Sequence, residues 1–279
     1  MKRLLTIEFQ KLWRNRASRV LILTYFVLLS FIAMLASVNF KIVGIDFRLA
    51  DQGIFNFPYI WHFNTYIAAA LKFFLAIVIV SMMANEYTYG TLKQNLIDGL
   101  SKAEFIKSKF YTVAVFALVS TVFMFILTLI LGYSFSSFTE VSIVFTDLQY
   151  IGSYFLKLAG FFSFCLFVGM LVKRSAFALG FIFVWWIIEG ILYSVLRWKI
   201  FDEAIARNIA GFFPLESMNN LIKEPFTRFS AYKAIENQMA QGAVVVKDYS
   251  VHWYEVLIVI VWIVIFVLMS HRILKKRDL

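Results

Sequence analysis

Long apolar runs separated by short polar stretches set the pattern of this chain. They recur at about 20–40, 64–84, 110–133, 149–172, 176–196 and 253–270. A helix needs about 20 such residues to cross roughly 30 Å of hydrocarbon. The pattern predicts an all-α integral membrane protein: one membrane domain, 1–279, with six transmembrane helices. Ahead of the first run, Leu5, Phe9, Leu12 and Trp13 fall at i, i+4, i+7 and i+8 among six Lys and Arg residues. That predicts a basic amphipathic helix lying in the membrane interface. A signal peptide competes with it, but the run that follows is long enough to span and no small-x-small cleavage site follows. Tyr59, Trp61 and Tyr66 are expected to form an aromatic belt where the second span begins.

Two polar stretches interrupt this rhythm. Residues 86–109 hold two helix-start signatures, Thr91-Leu92-Lys93-Gln94 and Ser101-Lys102-Ala103-Glu104, both fitting a capping box. Gly99 stands between them, where a helix end most easily takes a left-handed residue. A short helix over about 92–98 is expected, roughly 10 Å long, with a new helix starting at 102. An ordinary capped loop is the plainer alternative. In the connection 197–252, Ile200, Phe201, Ala204, Ile205, Ile209 and Phe212 repeat at helical spacing, and Pro214 suits the first turn of a second short helix. These two helices either dip into the membrane, where protein covers their backbone, or form a helical surface loop.

Composition agrees with the membrane reading, at 61% hydrophobic and 16% charged residues, against about 45–50% and about 25% in soluble domains. Charge adds direction. Sixteen of the 27 Lys and Arg residues lie in 1–19, 85–109, 173–174 and 272–277, the segments that share one side if the spans alternate. This positive-inside distribution puts both termini and the 86–109 stretch in the cytoplasm and argues against a nucleic-acid partner for the +10 charge. Cys165 lies alone inside a span, and His62, His252 and His271 are too scattered for a metal site.

Chemistry is sparse. There is no G-x-x-x-x-G-K-[ST] phosphate loop, so the chain lacks the ordinary cradle for ATP, and no nucleophile or carboxylate cluster marks an enzyme. Ionisable residues inside spans are costly and therefore informative. Lys72, Lys157 and Glu189 each sit roughly 10–12 Å deep by helical rise. An ion pair of Glu189 with Lys72 or Lys157 is expected, closing the outer half of a pathway. A packing pair without substrate contact, or lysines snorkelling to the headgroups, are the alternatives. Gly132, Gly160, Gly169, Gly180 and Gly190 read as helix-packing contacts.

Glu86, then Gly90-Thr91, then Ser101-Lys102, then Lys109 resembles the loop after the second span in type-2 ABC-transporter permeases. The usual proline before the Ser-Arg pair is replaced by Gly99-Leu100, and Lys102 stands where Arg is commoner. The resemblance implies a permease subunit, most often of an exporter, in a bacterial cytoplasmic membrane. It would pair with a second permease subunit, alike or different, and with ABC ATPase subunits that use ATP and Mg; the chain itself would bind no cofactor and hydrolyse nothing. Leu92, Leu96 and Ile97 would dock a coupling helix into the ATPase, and 199–222 would correspond to outer gate helices. An ATPase-independent secondary transporter or channel is the main alternative, and an intramembrane enzyme or assembly factor a weaker one. The cargo is not legible, although the aromatic content of 19% invites a hydrophobic one.

Overall fold

The computed structural model of the chain describes residues 2–35, 39–42, 45–48, 53–228 and 248–276. The end of the expected first span, residues 229–247 of the long connection, and Arg277 in the basic tail lie outside the described residues. Helix α1, Lys2–Arg14, is the expected basic amphipathic helix. It stops at Asn15, whose side-chain oxygen accepts the Ser18 amide at 3.2 Å and so caps α2, Arg16–Leu35. A two-residue-linked antiparallel hairpin, β1 (Asn39–Ile42) with β2 (Ile45–Arg48), follows, with Asn39 opposite Arg48.

The second run is not one straight helix. It divides into α3, Tyr59–Ala70, and α4, Lys72–Thr88, bent by 44° at Leu71. Then come α5, Thr91–Ile97, and α6, Lys102–Phe135. The 34 residues of α6 make a rod of about 51 Å, some 20 Å longer than a hydrocarbon core. Its start at 102, where the sequence places it, follows from the capping box: the Ser101 hydroxyl accepts the Glu104 amide at 3.2 Å while the Glu104 carboxylate accepts the Ser101 amide at 3.0 Å. A single turn, α7 (Val141–Val144), leads to α8, Gln149–Val172, and α9, Ser175–Val195. A π-turn, Leu196–Ile200, precedes α10, Glu203–Ala210, and α11, Pro214–Asn220, with Pro214 in the first turn as its fixed φ favours. The chain closes with α12, Trp253–Lys276.

Among the described residues four helices are long and apolar enough to cross a membrane, α6, α8 with its α7 lead-in, α9 with its π-turn, and α12; the bent α3–α4 pair makes a fifth if it is one span. The protein is therefore a helical membrane protein. Helix α8 is its axis: 78% of its most apolar window is buried against 11% for α9 and 17% for α12, and it packs on α3, α4, α6, α9, α11 and α12. The outward faces of α9 and α12 carry large apolar side chains such as Phe183, Trp186, Leu257 and Val264, as a hydrocarbon solvent requires.

Close helix approach sorts the glycines. The Phe57 ring lies against Gly132 with no room for a Cβ, and at Gly160 and Gly169 a Cβ would meet Val259 and Met83 at 3.1 and 3.2 Å. Gly180 and Gly190 face open space and make no packing contact among the described residues. Trp61 also departs from the expected belt. It is fully buried, stacks on Phe125 and donates to the Val144 carbonyl at 2.7 Å. Residues from α3, α6 and α7 close over it as a second small core, so it has no route to the interface.

Candidate functional site

The 86–109 stretch converges on one buried ionic node. Lys109, in the first turns of α6, places Nζ 2.6 Å from Glu86 Oε1 and 2.6 Å from Glu8 Oε2, and its side chain is 0% exposed. Lys11 Nζ lies 3.0 Å from Glu86 Oε1 and 3.7 Å from Glu8 Oε1. Two carboxylates and two ammoniums balance, the condition under which burying ions is tolerable. The node joins three segments: α1 supplies Glu8 and Lys11 one turn apart, α4 ends with Glu86, and α6 opens with Lys109.

The other Glu86 oxygen accepts the Thr91 hydroxyl proton at 2.5 Å. The first expected capping box is thereby displaced. Gly90, left-handed at φ +66°, occupies the N-cap position of α5, and Thr91 is its first helical residue, turned back to Glu86. The carboxylate reaches the hydroxyl first because α4 ends only three residues before α5 begins. At the far end the expectation holds. Gly99 is left-handed at φ +96°, and the amides of Gly99 and Leu100 return to the carbonyls of Leu96 and Asn95, the paired bonds of a Schellman ending.

The docking residues divide. Leu92 is buried in the chain's own core and Leu96 packs against it, whereas Ile97 is 75% and Tyr89 73% exposed. Lys93 and Gln94 are also exposed. Leu92 therefore anchors α5 to the bundle, and Lys93, Gln94 and Ile97, with Tyr89 just ahead of the helix, form the outward face of this stretch. Lys102 reaches the Lys275 carbonyl at 3.4 Å, tying the start of α6 to the end of α12.

The three ionisable residues of the apolar runs are arranged otherwise than expected. Among the described residues Glu189 pairs with neither Lys72 nor Lys157. Its carboxylate accepts the backbone amides of Leu215 at 3.1 Å and Glu216 at 3.0 Å, and the Trp185 indole at 2.7 Å. It caps α11, whose first amides have no partner inside the helix, and that demand outcompetes a lysine. Lys157 donates to the Asn219 carbonyl at 3.4 Å, and Lys72 Nζ sits 4.5 Å from the Phe161 ring centroid and 5.8 Å from that of Phe73. Both lysines line one cavity of about 590 Å³ between α4, α8, α9 and α11.

A third cluster centres on His62, at the start of α3. Arg228 Nη1 is 3.0 Å from His62 Nδ1, and His62 Nε2 is 2.8 Å from the Lys223 carbonyl. A guanidinium cannot accept, so Nδ1 accepts and Nε2 carries the proton: this histidine is held neutral. It stacks on Tyr150 at 4.2 Å, while Arg228 lies over the rings of Tyr59 and Tyr249. Nearby, the Ser250 hydroxyl and amide hold the Asp248 carboxyl below the usual carboxylate range, keeping it charged 3.0 Å from His252 Nε2. Isolated in sequence, His62 gave no sign of this role.

Glu8 and Lys11 were the residues that sequence reasoning missed at the node. The available signal was Glu8 itself, the one acid in an otherwise basic first helix and three residues from Lys11.

A family model described as "Protein of unknown function (DUF2705)" matches residues 20–279. The chain belongs to this family. No curated protein matches it. The matched segment takes in Glu86, Lys109 and the lysine-lined cavity, and begins just after α1 with its Glu8 and Lys11.

Proposed function

We propose that this protein is the membrane-spanning permease subunit of an ATP-driven ABC transporter, most simply an exporter of a bacterial cytoplasmic membrane. Six spans, α2, α3–α4, α6, α8, α9 and α12, would place both termini and α5 in the cytoplasm, with α10 and α11 at the outer side. The observation that carries the reading is the node. Glu86, Thr91 and Lys109, three residues of the type-2 permease-like pattern, bond to one another and to α1. A push received on the exposed face of α5 would travel through Leu92 and Glu86 into α4, α6 and α1 together, because none of the three can move without breaking a buried ion pair. Separate ATPase subunits would supply that push, and a second permease subunit would complete the pathway.

Tyr89→Asp and Ile97→Asp test it. Both side chains are exposed, so the variants should fold normally yet lose an ATPase that otherwise co-purifies from native membranes in mild detergent. Retention of that ATPase at wild-type stoichiometry, or its repeated absence from the unmodified protein, would reject the reading. A second reading, an ATPase-independent secondary transporter, draws on the 44° break beside Lys72. Such transporters use broken helices in both halves, and among the described residues the break at Leu71 has no counterpart.

A further inference from the structure

The cavity lined by Lys72 and Lys157 has an imbalance that the Glu86 node lacks. Lys72 is 9% and Lys157 4% exposed. Among the described residues no carboxylate forms an ion pair with either. Two acids nearby form no ion pair with them: Glu189 is filled by the Leu215 and Glu216 amides and the Trp185 indole, and Glu216 is exposed on a neighbouring, outer cavity that Lys157 also lines. Among the described residues the direct contacts of the two lysine nitrogens are one carbonyl, that of Asn219, and the rings of Phe161 and Phe73, few partners for two groups that each carry three donors when charged. Elsewhere the wall is apolar, from Phe73, Ile77, Leu179, Ile182, Phe183 and Trp186. Of these Phe73, Phe183 and Trp186 are more than half exposed, which puts the mouth of the cavity on the apolar flank of the bundle, open to the hydrocarbon side.

We propose that this cavity binds an amphiphile with an anionic head, carboxylate or phosphate, and an apolar body. The head lies between the Lys72 and Lys157 ammoniums, supplying the counter-charge the protein omits, and the body leaves along Phe183 and Trp186 toward the bilayer. A buried cation in hydrocarbon is costly without such a partner, and an aromatic wall favours an apolar chain. About 590 Å³ accommodates a head and the first part of one chain rather than a whole diacyl lipid. The site stands on the cavity alone; if the permease reading holds, it also names the cargo class.

The test uses the full-length protein in zwitterionic detergent, with tryptophan fluorescence quenched by brominated probes. Dibromostearate represents a free carboxylate, dibrominated phosphatidylglycerol a lipid phosphate, and the methyl ester of dibromostearate the same body without charge. Saturable quenching by one or both anionic probes is expected, at least tenfold tighter than by the ester. The acid alone identifies a single-chain carboxylate source, the lipid alone a bilayer source. Lys72→Met with Lys157→Met should weaken binding at least tenfold, and the two Lys→Arg replacements should retain it. Leu179→Trp, which fills the cavity and leaves both lysines in place, should block it by size. Equal affinity for acid and ester, or unchanged affinity in both the double Met and the Leu179→Trp variants, would overturn the proposal. Because no ATPase is present, either outcome is independent of the coupling helix.

Discussion

At one end of α4, Glu86 meets Lys109 and Lys11 within 3.0 Å; at the other end of the same helix, among the described residues, Lys72 meets aromatic rings and no acid. Both places bury charge, and they differ in bookkeeping alone. Around Glu86 the acids and bases cancel, so the cluster can be closed and permanent. Around Lys72 and Lys157, among the described residues, no acid comes within ion-pair distance of either cation. A closed cluster transmits force, since every member is already committed. An unbalanced one has capacity left for something that is not protein. On the proposed reading the node is structural in its energetics and mechanical in its use, and the lysine cavity is the place for a ligand.

The strongest way to break this comparison is to remove one ammonium from each place. Lys109→Met leaves Glu8 and Glu86 buried beside each other with only the half-exposed Lys11 between them. That should cost about 3–5 kcal/mol, the scale of stripping one partner from a buried pair. Lys72→Met removes a buried charge that has no partner to orphan, and stability should stay within about 1 kcal/mol or rise. Unfolding in mixed detergent–dodecyl sulfate micelles reads both. Equal losses in the two variants would mean that Lys72 has a protein counter-ion after all.

Glu189 lies between these extremes and sharpens the rule. It is a buried carboxylate, yet its partners are neutral amides rather than a cation. Glu189→Gln keeps the shape but turns one acceptor into a donor that opposes the Leu215 or Glu216 amide. A loss of about 1–3 kcal/mol is expected from the unsatisfied donors, with α11 loosened first. Hydrogen exchange at the Leu215 and Glu216 amides should rise well before global unfolding. If those amides stay protected, the carboxylate is not what holds α11.

Much of this architecture was legible because it depends on near neighbours. Gly99, the Ser101–Glu104 box and Pro214 each fix a helix boundary within four residues of chain, and each boundary falls where the pattern put it. The partners were not legible. Thr91 was read as a cap because Gln94 lies at the right spacing, but Glu86, one turn earlier, reaches its hydroxyl across the α4–α5 corner. Glu8 finds Lys109 across 101 positions, and Glu189 finds the Leu215 amide across 26. The three buried ions of the apolar runs were recognised as costly, and cost says that a partner is needed without saying which one. Helix periodicity missed the bend at Leu71 for a similar reason: the run is apolar on both sides of it, so nothing in the pattern marks a change of direction.

The glycines extend the contrast to packing with a smaller effect. Gly132→Ala must displace the Phe57 ring, a local overpacking worth about 1–3 kcal/mol. Gly180→Ala meets nothing among the described residues and should be neutral or gain up to about 1 kcal/mol from helix propensity. Measured together in the same micelles, they separate contacts that hold this chain from surface left for lipid or another subunit. A large loss at Gly180 would mean that its face is already packed in the purified assembly.

The finest difference expected is between the two helix starts of the 86–109 stretch. Ser101→Ala removes the hydroxyl that accepts the Glu104 amide, a cap worth about 1 kcal/mol. Its consequence should stay local, fraying the first turn of α6 without disturbing Lys109 two turns on. Thr91→Ala has the same chemistry on paper and a different place in the molecule, because its hydroxyl donates to Glu86 inside the node. A hydrogen bond to a charged group is worth about 1.5–3 kcal/mol, so the second variant should cost more than the first, and Thr91→Ser should recover the difference. If Ser101→Ala proves as costly as Thr91→Ala, the two starts are equivalent caps and Glu86 does not gather the stretch around itself.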